Sequence, residues 1–140
     1  MTKALDAALA AADAGVDAGL TRLMELIAIP SISADSAYAG DVRRAADWLA
    51  ADLATMGFDA SVRPTARHPM VVGHDHTAPD GAPHVVFYGH YDVQPVDPLE
   101  LWDADPFTPA LLPQPDGETW ITGRGASDDK GALMTFIEAC

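Results

Sequence analysis

Apolar positions in the first part of the chain recur at helical intervals. Leu5, Leu9, Val16, Leu20, Leu23 and Ile27 fall on one stripe between residues 4 and 28, and Pro30 closes the run. Residues 31–40 are turn-rich. After them Val42, Ala45, Ala46, Leu49, Leu53 and Met56 predict a second amphipathic helix, with Gly57 in the position of a C-terminal cap. The pattern then changes to short extended pieces at about 58–62, 69–73 and 84–88, parted by Pro, Gly and Asp clusters. The third, His-Val-Val-Phe-Tyr, is almost unbroken in its apolar character, as a strand covered on both faces requires. Residues 99–115 are rich in Pro and aromatics and predict a surface path into a hairpin-like turn at Pro115, Asp116 and Gly117. A short strand is predicted over 119–122, and Asp128 or Asp129 then opens a helix through Leu133, Phe136 and Ile137. Helices that precede strands in this way predict an α/β layered fold with a largely buried sheet.

No internal repeat or interdomain linker interrupts the chain, so residues 1–140 are expected to belong to one domain. The last helix reaches Cys140 without Gly, Pro or a polar cap, and the polypeptide is therefore expected to continue past this point.

Charge narrows the choice of partners. Eight Lys and Arg stand against 21 Asp and Glu, a formal net charge of -13, which repels phosphate backbones and anionic membranes. Nucleic acid and lipid surfaces are accordingly not expected as partners. Cys140 is the single cysteine, so neither an internal disulfide nor a Cys-pair zinc finger is available, and a reducing, cytoplasmic setting fits best. It reads as a small buried apolar residue. The chain carries neither a signal-peptide pattern nor about 18 uninterrupted apolar residues, and a soluble protein is expected.

Two constellations carry chemistry. The first, Gly89-His90-Tyr91-Asp92-Val93-Gln94-Pro95, follows the third extended piece directly, and strand ends are common ligand positions in α/β sheets. Residues two apart in extended backbone face the same side. The His90 imidazole can thus bind a metal while the Asp92 carboxylate accepts its other N–H and fixes tautomer and orientation. The competing reading of His90 and Asp92 is an ordinary structural hydrogen bond.

The second constellation is Gly123-Arg124-Gly125-Ala126-Ser127-Asp128-Asp129-Lys130-Gly131. Adjacent carboxylates repel unless a cation, a proton or helix N-terminal amides compensate, so two Asp in a glycine-rich turn suggest a cation site. The competing reading is a helix cap by Asp128 or Asp129, with Lys130 as a solvated charge. Arg124 between glycines is no phosphate cradle, because the Gly-Lys-Ser/Thr ending is missing. The Asp spacing also lacks the alternation and closing Glu of a calcium loop.

Taken together, "VVFYGHYDVQPVDPLELWDADPF" and "GRGASDDKGALM" closely resemble the dinuclear zinc metallopeptidases that include carnosinase-type dipeptidases, carboxypeptidase G, succinyl-diaminopimelate desuccinylase and aminoacylase. The dipeptidase branch is the nearest. The opening "IAIPSIS" also looks like the start of that family, of which this chain covers the N-terminal portion. The resemblance implies an α/β three-layer sandwich with a mixed, mostly buried sheet. It further implies that His90 is a ligand of one zinc, that Asp128 bridges two, and that Asp92 acts in the catalytic site by orienting His90. The Asp128-Asp129 peptide is often cis in such relatives, and Asp129, Lys130 and Gly131 serve shape more than ligation.

The implied reaction is hydrolysis of peptide or amide bonds in dipeptides or N-acyl amino acids. Its cofactor is Zn2+, two per site about 3.5–4 Å apart, which activate a water whose proton a glutamate takes. Co2+ or Mn2+ are substitutes. That glutamate, the remaining ligands and any domain that would form a homodimer are expected beyond residue 140, so the 140-residue chain alone is expected to bind zinc weakly and to be inactive. A reading from another class is a non-catalytic fragment acting as a folding or interaction module.

Other residues are expected to be structural. His74-Asp75-His76 reads as solvated loop residues before it reads as a surface metal site, Trp48, Trp102 and Trp120 as core or edge cover, and Ser127 lacks the surroundings of a hydrolase nucleophile.

Overall fold

The computed structural model describes residues 3–140. Helix α1 covers Lys3–Ile27, within one residue of the predicted span at each end. Its apolar stripe is buried only toward the C-terminal end, at Leu23, Leu26 and Ile27. A 3-10 turn over Ser36–Tyr38 follows, and the Asp35 carboxylate caps it by accepting the Ala37 N–H at 2.9 Å. Helix α2, Ala39–Thr55, ends as the sequence predicts: Gly57 takes φ +93, a conformation that favours glycine, and its N–H reaches the Ala54 carbonyl at 3.1 Å.

Strands β1, Asp59–Arg63, and β2, Met70–His74, form an antiparallel pair in which Ser61 stands opposite Val72. Strands β3, Ala110–Pro113, and β4, Thr119–Thr122, form a second, around a turn where Gly117 takes φ +90. Strand β3 lies where a surface path was predicted. Helix α3 covers Lys130–Glu138. The core is built where the helices meet: Leu23, Leu26 and Ile27 of α1, Ala45 and Leu49 of α2, and Met134 and Ile137 of α3. Exposed aliphatic area removed from water here contributes roughly 25 cal/mol per Å². No helix among the described residues is long and apolar enough to cross a membrane.

Residues 84–88 depart from the prediction. No strand among the described residues pairs with them, and Val85, Val86 and Tyr88 are 77%, 83% and 84% exposed. An unbroken apolar run encodes cover on both faces, but other elements must supply that cover. Among the described residues Phe87 finds some of it, stacked on Phe136 of α3 with ring centroids 3.7 Å apart. Cys140 departs as well: it is exposed, just past the end of α3, rather than buried.

Arg22 ties the three helices together. Its Nε and Nη2 donate to both oxygens of Asp52 on α2, at 2.9 and 2.7 Å, while Nη1 lies 2.7 Å from Glu138 Oε1 on α3. Gly19, one turn earlier on α1, admits Glu138 closely, since a Cβ there would sit 2.9 Å from Glu138 Cδ. The planar guanidinium suits this two-sided grip, and its pKa is raised chiefly by the hydrogen bond to Asp52. Arg22→Met is expected to cost about 1–2 kcal/mol, because Asp52 loses a bidentate partner in a nearly buried place. Urea unfolding of the two proteins at neutral pH checks this, and an unchanged midpoint would count against it.

Candidate metal centre

The two motifs meet in space. The first arm, residues 89–95, is fixed by residues 31–33, which run beside it in parallel. The Ser31 carbonyl accepts the Val93 N–H at 2.9 Å, Ile32 forms a bridge with Val93, and the Ser31 hydroxyl donates to the Tyr91 carbonyl at 2.6 Å. Ser31, Ile32 and Val93 are all buried. Tyr91 is held further by its hydroxyl, which donates to the Pro69 carbonyl.

The second arm is the turn 123–131 leading into α3. Its glycines are dictated by close approach. A Cβ at Gly131 would lie 2.0 Å from the Ala126 carbonyl oxygen, and one at Gly125, where φ is +90, would lie 2.8 Å from Val93 Cγ1. Lys130, read above as a solvated charge in the capping alternative, is fully buried instead. Its Nζ donates to the carbonyls of Leu26 and Ile29, at 2.9 and 2.7 Å, so the turn is bolted to the C-terminal end of α1. Burial pushes its pKa down to about 7.

Asp129 occupies the N-cap position of α3 but makes no side-chain cap bond. Its Oδ2 instead accepts the backbone N–H of His90 at 3.0 Å, joining the two arms. The Asp128-Asp129 peptide is cis. The capping reading of this pair is therefore not what the geometry carries.

His90 stands between acceptors. Its Nδ1 lies 3.1 Å from the Asp92 carbonyl oxygen and 3.2 Å from Asp92 Oδ1, and its Nε2 lies 3.1 Å from Asp128 Oδ1. An imidazole flanked by oxygen acceptors at both nitrogens has two options. It carries a second proton, or it keeps its proton on Nδ1 and shares a cation between the Nε2 lone pair and the Asp128 carboxylate. Burial by itself lowers the pKa of His90, but the Asp92 carbonyl and the charges of Asp92, Asp129 and Asp128 outweigh it and leave the pKa raised.

The donor set fits a divalent transition metal in part. Imidazole nitrogen and carboxylate oxygen are ordinary zinc ligands, and two donors on one tetrahedral ion stand about 3.3 Å apart, close to the 3.1 Å between Nε2 and Oδ1. Asp128 is 86% exposed, so its second oxygen is open to another ion. The set is incomplete among the described residues, where no group of three His, Cys, Asp or Glu is arranged to hold a metal.

His90, Asp92, Val93, Gln94, Arg124 and Asp128 line one pocket of about 160 Å³. That suits ions and a few waters and falls below the roughly 300–1,000 Å³ of sites that enclose larger ligands. Arg124 binds the far end of the first arm to the second: Nη2 donates to the Pro95 carbonyl at 3.1 Å, the backbone N–H donates to Pro106 at 2.7 Å, and the guanidinium lies 5.0 Å from the Trp102 ring centroid. Trp102 is thus cover for an edge of the site, as its residue type suggests.

All three residues singled out from the sequence, His90, Asp92 and Asp128, come together here. Sequence reasoning did not assign roles to Ser33 or Arg124, and it gave Lys130 a shaping role through the resemblance without foreseeing its burial. The available signals were the "IAIPSIS" opening and the placement of Arg124 and Lys130 inside the second motif. His74 and His76 are not part of this centre; their rings stack with centroids 5.8 Å apart on exposed chain.

Comparison with known proteins finds relatives of similar sequence and fold. The profile of peptidase family M20/M25/M40 matches residues 86–140, the stretch that holds both motifs. The Cys-Gly metallodipeptidase dug1 of Schizosaccharomyces pombe is 32% identical over an alignment of 149 positions, covering 99% of this chain and 30% of the relative. A succinyl-diaminopimelate desuccinylase of Stenotrophomonas maltophilia is 38% identical over 118 residues, covering 82% of this chain and 27% of its own length. Among solved structures, the dipeptidase Dug1p from Saccharomyces cerevisiae superposes with a TM-score of 0.85 at 26% identity, over 99% of this chain and 31% of that one. Human carnosine dipeptidase 1 gives 0.80 at 25% identity, with the same coverage of 99% and 31%. The fold is that of an α/β peptidase domain. The chain belongs to peptidase family M20/M25/M40, and it spans about 30% of the length of the dipeptidase relative named first.

Proposed function

We propose that the protein hydrolyses peptide or amide bonds in dipeptides or N-acyl amino acids with the help of two divalent cations, zinc first and cobalt or manganese as substitutes. These 140 residues then form the N-terminal part of the catalytic domain. The observation that carries the reading is the facing of His90 Nε2 and Asp128 Oδ1 at 3.1 Å, with the opposite ring nitrogen engaged by Asp92. The names of the relatives, metallodipeptidase and desuccinylase, support the substrate class.

In this reading His90 would hold one cation through Nε2, and Asp128 would bridge the pair. The bound cations supply an activated water and polarise the scissile carbonyl. The chain's own residues do the rest of the work visible here. Asp92 keeps the proton of His90 on Nδ1 and so keeps the Nε2 lone pair available. Asp129 sets the distance between the arms by gripping the His90 backbone. Lys130 fixes the height of the turn on α1. One imidazole and one bridging carboxylate leave each cation short of about four ligands, so the 140 residues by themselves are proposed to be inactive. A single exposed cysteine and no membrane-crossing helix among the described residues are consistent with a cytoplasmic setting.

The test is a calorimetric zinc titration of the full-length protein and of its His90→Ala variant, with dipeptide hydrolysis followed in parallel. The variant is expected to bind at least about 100-fold more weakly and to lose activity in proportion, since a first ligand matters more than the outer partners whose loss costs 10–100-fold. Wild-type zinc affinity and activity in His90→Ala would remove the site proposed here.

A further inference from the structure

Ser33 stands one step behind the metal centre. Its hydroxyl donates to Asp92 Oδ2 at 2.5 Å, while the other carboxylate oxygen, Oδ1, faces His90 Nδ1 at 3.2 Å. Both oxygens of Asp92 are thereby engaged, one on each side. A carboxylate with one free oxygen can rotate about its terminal bond, whose preferences are broad. It could then turn that oxygen toward a nearby cation and release the imidazole. With Oδ2 held, Asp92 is restricted to orienting His90.

The grip of Ser33 is itself well founded. Ser33 follows the Ile32–Val93 bridge, and the buried Ser31 hydrogen-bonds both Tyr91 and Val93, so residues 31–33 are seated directly on 91–93. A hydrogen bond into a carboxylate is of the charge-assisted kind and is shorter and stronger than a neutral one. The chain of contacts runs Ser33, Asp92, His90, Asp128.

We infer that Ser33 is a positioning residue of the metal centre, acting through Asp92 to hold the His90 lone pair on the cation axis. The inference rests on the metal reading proposed above. Its test uses zinc titration calorimetry on the full-length protein, together with the melting temperature of the metal-free form. Ser33→Ala is expected to weaken zinc binding about tenfold, the low end for an outer partner, while the metal-free melting temperature moves by no more than about 2 °C. Ser33→Thr keeps the hydroxyl and is expected to bind within about threefold of wild type. A residue with a merely structural role would move the melting temperature and leave the affinity of the folded protein unchanged. If Ser33→Ala does not fold, Ser33→Cys, close in volume and a weak donor, is read in the same way. Wild-type affinity in the folded Ala or Cys variant overturns the inference. Wild-type affinity in His90→Ala overturns instead the metal reading on which it rests, so the two failures are distinct.

Discussion

Asp128→Asn is expected to lower hydrolysis of a dipeptide by on the order of 10³-fold or more, while leaving the metal-free protein at least as stable as wild type. The two effects have opposite signs if, as proposed, Asp128 serves the cations and not the fold. Its side chain is 86% exposed and, among the described residues, makes a polar contact with His90 Nε2. Asparagine has the same shape but offers one neutral oxygen where a bridge between two cations needs two anionic ones. Metal catalysis supplies several kcal/mol of charge stabilisation, and each 1.36 kcal/mol is a tenfold change in rate. Without cations, Asp92, Asp128 and Asp129 stand around one imidazole, and because like charges held together repel, removing one is expected not to lower stability. Steady-state hydrolysis with zinc present, and thermal melting with a chelator, read the two halves separately. Activity within tenfold of wild type, or a clear loss of metal-free stability, would show that Asp128 does something else.

Gly131→Ala is the largest expected effect on the fold. The new Cβ would lie 2.0 Å from the Ala126 carbonyl oxygen and 3.1 Å from its carbonyl carbon, and both are backbone atoms that no side-chain rotation can move aside. The turn must open, and with it go the Gly131 N–H to the Gly125 carbonyl at 3.3 Å and the seat of Lys130 on α1. We expect a loss of at least about 3 kcal/mol, at the upper end for overpacking and a large share of an ordinary domain's stability of about 5–15 kcal/mol. Because the same turn carries Asp128 and Asp129, zinc affinity should fall with it. Denaturant unfolding of the metal-free protein measures the first consequence; a loss under about 1 kcal/mol would mean that the turn adapts far more easily than its geometry allows.

Much of this was legible in one dimension. The helical stripes place α1 and α2 within a few residues of where they form, Gly57 and Gly117 take the positive φ their positions foretell, and β4 covers the predicted 119–122. Residue types point to a cation site at His90 with Asp92 and at the Asp128-Asp129 pair, and the family resemblance of the two motifs is what singles out Asp128. These features are local: each depends on period, on glycine's freedom, or on the chemistry of a short segment.

Tertiary structure alone decided the rest, because burial and partnership are properties of distant pairs. An apolar run says that cover is needed but not whether it is present, and so residues 84–88 lie exposed and unpaired although their composition suits a buried strand. A lysine before a glycine reads as a surface charge until two carbonyls more than a hundred positions earlier are found against its Nζ. Ser33 and Asp92 are 59 positions apart, and only the parallel seating of residues 31–33 on 91–93 makes them neighbours. The sequence by itself determined which groups are able to hold a cation; the packing of α1, the 31–33 segment and the glycine turn determined that two of them face each other at 3.1 Å.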